Sequence, residues 1–193
     1  MSDVATVSWT AMVATVAAAC LPPSAVAQAS AAASSPVSHS AAECVVWRRE
    51  LSFARSVEAH DAQAFAAHLH PGAVFNAGSR RPLRGADSVS KAWAGIVEGK
   101  AFVLRWRPGV VHIGGDPNIA LSRGPFFSDN PGAADARERY KVGFFHSVWV
   151  RDAAGDWRIL FDGPDGVPQS AANADEGRAF LAAQAGDECV AAN

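Results

Sequence analysis

The stretch YKVGFFHSVWVRDAAGDWRILFD, residues 140–162, reads as two strands around a short turn. Tyr140 to Arg151 is rich in β-branched and aromatic residues. Asp152 to Gly155 (DAAG) carries the turn, and Trp157 to Asp162 resumes the strand pattern. The first of these strands is apolar on both faces. Phe145 and Trp149 fall on one, and Val142, Phe144, Val148 and Val150 on the other. One face can pack on helices; the other needs a cover, because exposed apolar sheet is a liability. A two-fold partner on the face of Phe144, His146 and Val148 would supply it, and so would the C-terminal tail.

Outward from this hairpin, Ile119 to Phe127 is the preceding strand, and Ser128 to Arg139 is a polar loop. Gly114-Gly115-Asp116-Pro117-Asn118 is a turn. Phe102, Leu104 and Trp106 share one face of an earlier strand, Pro108 bends it, and Val110 to Ile113 continues it. Before Gly99 the period is helical. In residues 43–58, Val46, Trp47, Leu51, Phe53, Ala54 and Val57 fall on one arc, with Glu50 near its middle. A carboxylate there must find a partner or a wet cavity. Asp61 begins a second helix with Ala64, Phe65 and Leu69 inward, stopped by Pro71-Gly72. Ala73 to Phe75 is a short strand. Gly85 and Asp87 open a third helix to about Val97, with Asp87 as its N-cap. Three helices followed by a run of antiparallel strands predict an α+β fold, a curved sheet wrapped around the helices.

The 193 residues carry 17 Lys and Arg against 19 Asp and Glu, a net charge of −2. That balance gives no electrostatic basis for binding nucleic acid. No apolar run reaches the length of a membrane span. Residues 1–42 hold one formal charge, Asp3. The apolar run Ala11 to Leu21, the breaker Pro22-Pro23 and the site Ala27-Gln28-Ala29 predict a signal peptide over residues 1–29, although no Lys or Arg precedes the run. Residues 30–42 read as a disordered Ala/Ser-rich leader, and 169–193 as a C-terminal tail. The expected location is therefore periplasmic or secreted, with lipidation at Cys20 the lesser variant. Cleavage leaves Cys44 and Cys189, and an oxidising compartment favours their disulfide.

Four local patterns resemble a known family. They are E-x-x-F-A at Glu50, Phe53 and Ala54; L-x-W-x-P at Leu104, Trp106 and Pro108; Gly115-Asp116 before Gly124-Pro125; and Val148-Trp149, Gly155, Trp157 and Asp162-Gly163. In order over residues 43–168, they are similar to the nuclear transport factor 2-like, or SnoaL-like, cone (a cystatin-like architecture), and within it to the domain-of-unknown-function 4440 group. The resemblance implies a cone with one open mouth, often dimeric through its sheet, and no fixed activity. Ketosteroid isomerases of this superfamily use a carboxylate base with a Tyr and a protonated Asp as donors. Aligned on Asp61 and Gly155, those roles fall on Ala77, Phe53 and Ser147, and none can be filled.

What remains is a cup with Glu50 and Asp162 as candidate acid and base, and Trp106, Trp149, Phe53 and Asn76 as candidate ligand contacts. His68-x-His70 reads as a surface pair without a third metal ligand. The glycine pairs form neither G-x-G-x-x-G nor a phosphate loop. No cofactor and no metal are expected. The favoured reading is an exported protein that binds a small molecule. The alternatives are a lyase, isomerase or cyclase using Glu50 and Asp162, and a non-catalytic structural or adaptor dimer.

Overall fold

Ser40 starts the first helix of the structure, a computed structural model that describes residues 37–192. Its Oγ accepts from the Glu43 amide at 3.2 Å, and the Glu43 carboxylate accepts from the Ser40 amide at 2.7 Å. This reciprocal cap sets α1 as Ala41–Glu58, two residues earlier than periodicity alone predicts. Residues 37–42, expected in the leader, are thus part of the fold. The signal peptide and Cys20 lie outside the described residues.

Asp61 caps α2 (Ala62–Ala67) as expected, through the Ala64 amide at 2.8 Å. The helix ends before Leu69, and β1 (Leu69–Phe75) runs straight through Pro71-Gly72. Those breakers were read as a helix stop; they sit where the β1 register shifts between Leu69 and Val74. A two-residue strand, β2 (Leu83–Arg84), pairs back on β1. In α3 (Ala86–Val97) the cap is Gly85, at φ +87°, and Asp87 lies in the first turn instead.

The strands follow as β3 (Val103–Trp106), β4 (Val110–Ile113), β5 (Ile119–Asp129), β6 (Tyr140–Arg151) and β7 (Trp157–Ser170). Their order is β2-β1-β7-β6-β5-β3, with β4 also on β5. The sheet is antiparallel except where β1 runs parallel to β7. The break at Pro108-Gly109 lets β3 and β4 share one partner. Gly124 sits under that break: a Cβ there would lie 1.9 Å from the Arg107 carbonyl oxygen.

Alternation on β6 sends Phe145, Ser147 and Trp149 to the helix side, all buried. There α1 presents Val46, Trp47, Glu50, Phe53, Ala54 and Val57, the predicted arc. On the outer side a further helix, α4 (Ala174–Gln184), capped by Asn173, lies where a tail was expected. Its Phe180 meets Phe144 edge-on at 5.6 Å, and the cluster of Phe127, Val142 and Ala171 lies beside it. Gly177 touches the Phe127 ring so closely that a Cβ would stand 2.3 Å from it. Both covers considered for the outer face therefore have room. α4 takes the Val142–Phe144 end, and Ile119, Leu121 and Phe161 stay 46%, 41% and 38% exposed.

The ends of the fold are joined. Cys44 and Cys189 form the expected disulfide, with a Cα–Cα distance of 5.6 Å. His39 and Ala191 add a parallel bridge, and the His39 Nε2 accepts from the Val111 amide at 3.1 Å. Arg107 ties Asp187 and Glu58 at 2.7 and 2.6 Å. Among the described residues, no helix is long and apolar enough to cross a membrane.

Candidate functional site

The helix side of the sheet holds a cavity of about 130 Å³. Strand alternation explains its walls. β3 contributes Leu104 and Trp106, β5 Phe126, β6 Phe145 and β7 Asp162, while α3 adds Trp93. Asn76, Gly163 and Pro164 complete it. Trp93 stacks on Phe65 at 5.5 Å and stands at 80° to Trp106, with 6.4 Å between ring centres. The two indoles make a corner.

Among the described residues, Asp162 is the one ionisable group on this wall. It is half-buried, opposite Ser147 in the β6–β7 register, and accepts from the Ser147 hydroxyl at 2.7 Å. Its backbone oxygen accepts from the Asn76 amide, also at 2.7 Å. Asn76 adopts φ +55°, a left-handed conformation that Asn tolerates better than most residues, and so turns the chain out of β1 beside Asp162. A second, larger cavity of about 440 Å³ shares Asn76, Asp162, Gly163 and Pro164, and adds Ala77 and His146.

Glu50 is fully buried. Each of its oxygens takes one indole N–H: Trp106 Nε1 on Oε1 and Trp149 Nε1 on Oε2, both at 2.8 Å. Burial pushes its carboxyl up from the ordinary value, and the indole donors pull it down. Burial also pushes Asp162 up, to about 7, with the charge of Glu50 adding to the rise and the Ser147 hydroxyl opposing it. The two carboxyls are thus electrostatically coupled, with Ser147 bonded to Asp162.

Of the residues picked from the sequence, Asp162, Trp106 and Asn76 line the cavity. Glu50, Trp149 and Phe53 sit behind that lining; Phe53 packs its ring 5.2 Å from Trp106. Phe53, Ala77 and Ser147, the three isomerase slots, offer no base and no Tyr. The wall residues Trp93, Phe126 and Phe145 were not picked. The clue for Phe126 and Phe145 was their alternation; the clue for Trp93 was a large aromatic on an otherwise small-residue helix.

The His68–His70 pair is not a surface pair. His68 is buried, with Nδ1 2.6 Å from the Ala64 oxygen and Nε2 3.1 Å from Ser52 Oγ. Burial, then the Arg49 charge, lowers its pKa to about 4. It works as a neutral core histidine.

No protein-family model and no curated protein matches this chain by sequence. Solved structures do match in shape. An NTF2-like protein of unknown function from Pseudomonas putida KT2440 gives a TM-score of 0.52 at 17% identity, over 66% of this chain and 87% of its own. A ketosteroid isomerase-like protein from Erwinia carotovora atroseptica gives 0.51 at 13%, over 65% and 98%. An NTF2-like superfamily protein from Salmonella enterica serovar Typhimurium gives 0.50 at 18%, over 70% and 96%. The class is therefore an α+β cup of curved sheet and N-terminal helices. The particular fold is the nuclear transport factor 2-like one, as the sequence patterns implied.

Proposed function

We propose that this protein binds a small, largely apolar molecule in the aromatic cavity, with Asp162 taking its polar end. The observation that carries this reading is a carboxyl fixed by Ser147 on a wall made mostly of aromatic and aliphatic side chains, with Asn76 beside it. A cavity of about 150 Å³ holds benzene, so the volume suits one six-membered ring. Export fits the disulfide, which persists in an oxidising compartment. The narrower kinship with the 4440 group rests on the sequence patterns.

Tetrahydropyran and phenol, titrated while tryptophan fluorescence is read, test the cavity itself. At least one should bind the native protein. Leu104→Trp, which fills the cavity without touching a carboxyl, should abolish the signal at an unchanged melting temperature. Equal binding to both proteins would place the ligand elsewhere.

A second reading is acid–base catalysis, favoured by an Asp162 carboxyl that titrates near neutrality on a cavity wall. In this reading Asp162 moves the proton, and Glu50, coupled to it, sets when it does so. The exposed band of Ile119, Leu121 and Phe161, beside Val148, supports a homodimer through the outer sheet. Val148→Asp should then convert a dimer to a monomer in sedimentation. A native monomer at high concentration would exclude the contact.

A further inference from the structure

We infer that the ligand is an organic ammonium cation, held between the Asp162 carboxylate and the aromatic corner of Trp93 and Trp106. The inference rests on the binding role of the cavity and names its ligand class.

The first argument is charge. The wall carries a carboxyl and no Lys, Arg or His. A second carboxylate, Glu50, stands directly behind Trp106. A ligand cation entering the cavity meets no fixed positive charge among the described residues, and each carboxyl that ionises attracts it while repelling a carboxylate ligand.

The second argument is the rings. Aromatic side chains present a negative face and a positive edge, so perpendicular indoles form a corner that suits a cation. Trp93 and Trp106 are set at 80°, and Phe126 and Phe145 close the cavity around them. The Trp106 N–H donates to Glu50, which enriches the ring in electron density and strengthens the attraction of its face for a cation. A cavity built only to exclude water would have no use for a carboxylate-polarised indole on its wall.

The third argument is an unmet demand. Among the described residues, Asp162 has one side-chain donor, the Ser147 hydroxyl, and no cationic partner. Arg123 and Arg158 are engaged instead by Asp165 and Asp152. An ammonium N–H supplies both the missing donor and the missing charge.

The groups around Asp162 set the pH behaviour. Glu50 faces it from α1, Ser147 from β6, Asn76 from beyond β1 and Trp93 from α3. His146, next along β6, lines the neighbouring larger cavity that Asp162 also borders. Glu50 and His146 are therefore the titratable neighbours. A cation favours ionised Asp162, so affinity rises with pH through the neutral range and binding at pH 7 releases protons.

The test compares piperidine, a cation at these pH values, with the ring-matched neutral tetrahydropyran, by calorimetry in buffers of different ionisation enthalpy. Piperidine should bind at least about tenfold tighter at pH 8 and release protons at pH 7. Asp162→Asn should erase that preference and the proton release, so that piperidine binds no tighter than tetrahydropyran. Equal or tighter binding of tetrahydropyran would overturn the cation assignment and leave the cavity reading standing. Failure of piperidine to bind the native protein would overturn the cation assignment; piperidine binding that survives in Leu104→Trp, or failure of piperidine, tetrahydropyran and phenol alike, would overturn both.

Discussion

Glu50→Ala is expected to lower the melting temperature by about 4–24 °C. The change leaves the indole N–H groups of Trp106 and Trp149 buried without acceptors and opens a void among aromatic rings. Leaving a buried donor without an acceptor costs roughly 1–3 kcal/mol, so the two indoles together lose about 2–6 kcal/mol. In a domain of this size each kcal/mol moves the midpoint by about 2–4 °C. Glu50→Gln should cost less, about 1–3 kcal/mol, because its carbonyl serves one indole while its amide turns a donor toward the other. Both variants should also lower the pKa of Asp162, since they remove the neighbouring charge that helps to raise it. A wild-type melting temperature in Glu50→Ala would show that the two indoles do not depend on this carboxylate. Titration of Asp162 by carboxyl NMR reads the second effect separately from the first.

The paired variant Cys44→Ser, Cys189→Ser should lose about 2–5 kcal/mol, with reduction of the native protein giving the same loss. The cysteines are 145 positions apart, so the bridge restricts nearly the whole unfolded chain. In the folded state it fixes the start of α1 to the segment that carries Asp187, whose carboxylate pairs with Arg107. Without the bridge, the His39–Ala191 contact and that ion pair must hold the segment alone, and surface ion pairs contribute little. Urea unfolding with and without reductant measures the loss. Rapid proteolysis after residue 184 in the reduced protein would place the fraying there. Superimposable unfolding curves would show that the remaining contacts suffice.

Much of this molecule was legible because its signals are local. Alternation in Tyr140–Arg151 and the turn at Asp152–Gly155 gave the central hairpin, and the Asp61 cap gave α2. The inward placement of Glu50 followed from helical spacing alone, but its partners did not. They stand 56 and 99 positions away, and no local rule links a carboxylate to two indoles at that distance. The long β7 was hidden by its own residues: Gly163, Pro164, Gly166 and Pro168 all read as breakers. They are tolerated because β1 ends at Phe75, opposite Asp162, so the rest of β7 pairs on one side only. The Pro71-Gly72 misreading has the same origin, a strand at its register shift. α4 is short and rich in small residues, and it owes its place to Phe180 and to the bare Gly177 against Phe127, contacts that appear only once the sheet exists.

The joined ends of the fold have a practical meaning. His39 and Ala191 lie side by side, with backbone hydrogen bonds of 2.8 Å from the His39 amide to the Val190 oxygen and from the Ala192 amide to the His39 oxygen. The two ends of the fold from 37 to 192 thus lie within reach of a short connector. Such a connector from residue 192 back to 37 would close the chain into a ring, and the exposed loop at Pro131-Gly132 offers a place to open it again. A permuted chain of that kind keeps every wall of the cavity while moving both termini to the β5–β6 loop. There a fused reporter domain would sit at the far end of the very strands that carry Phe126 and Phe145.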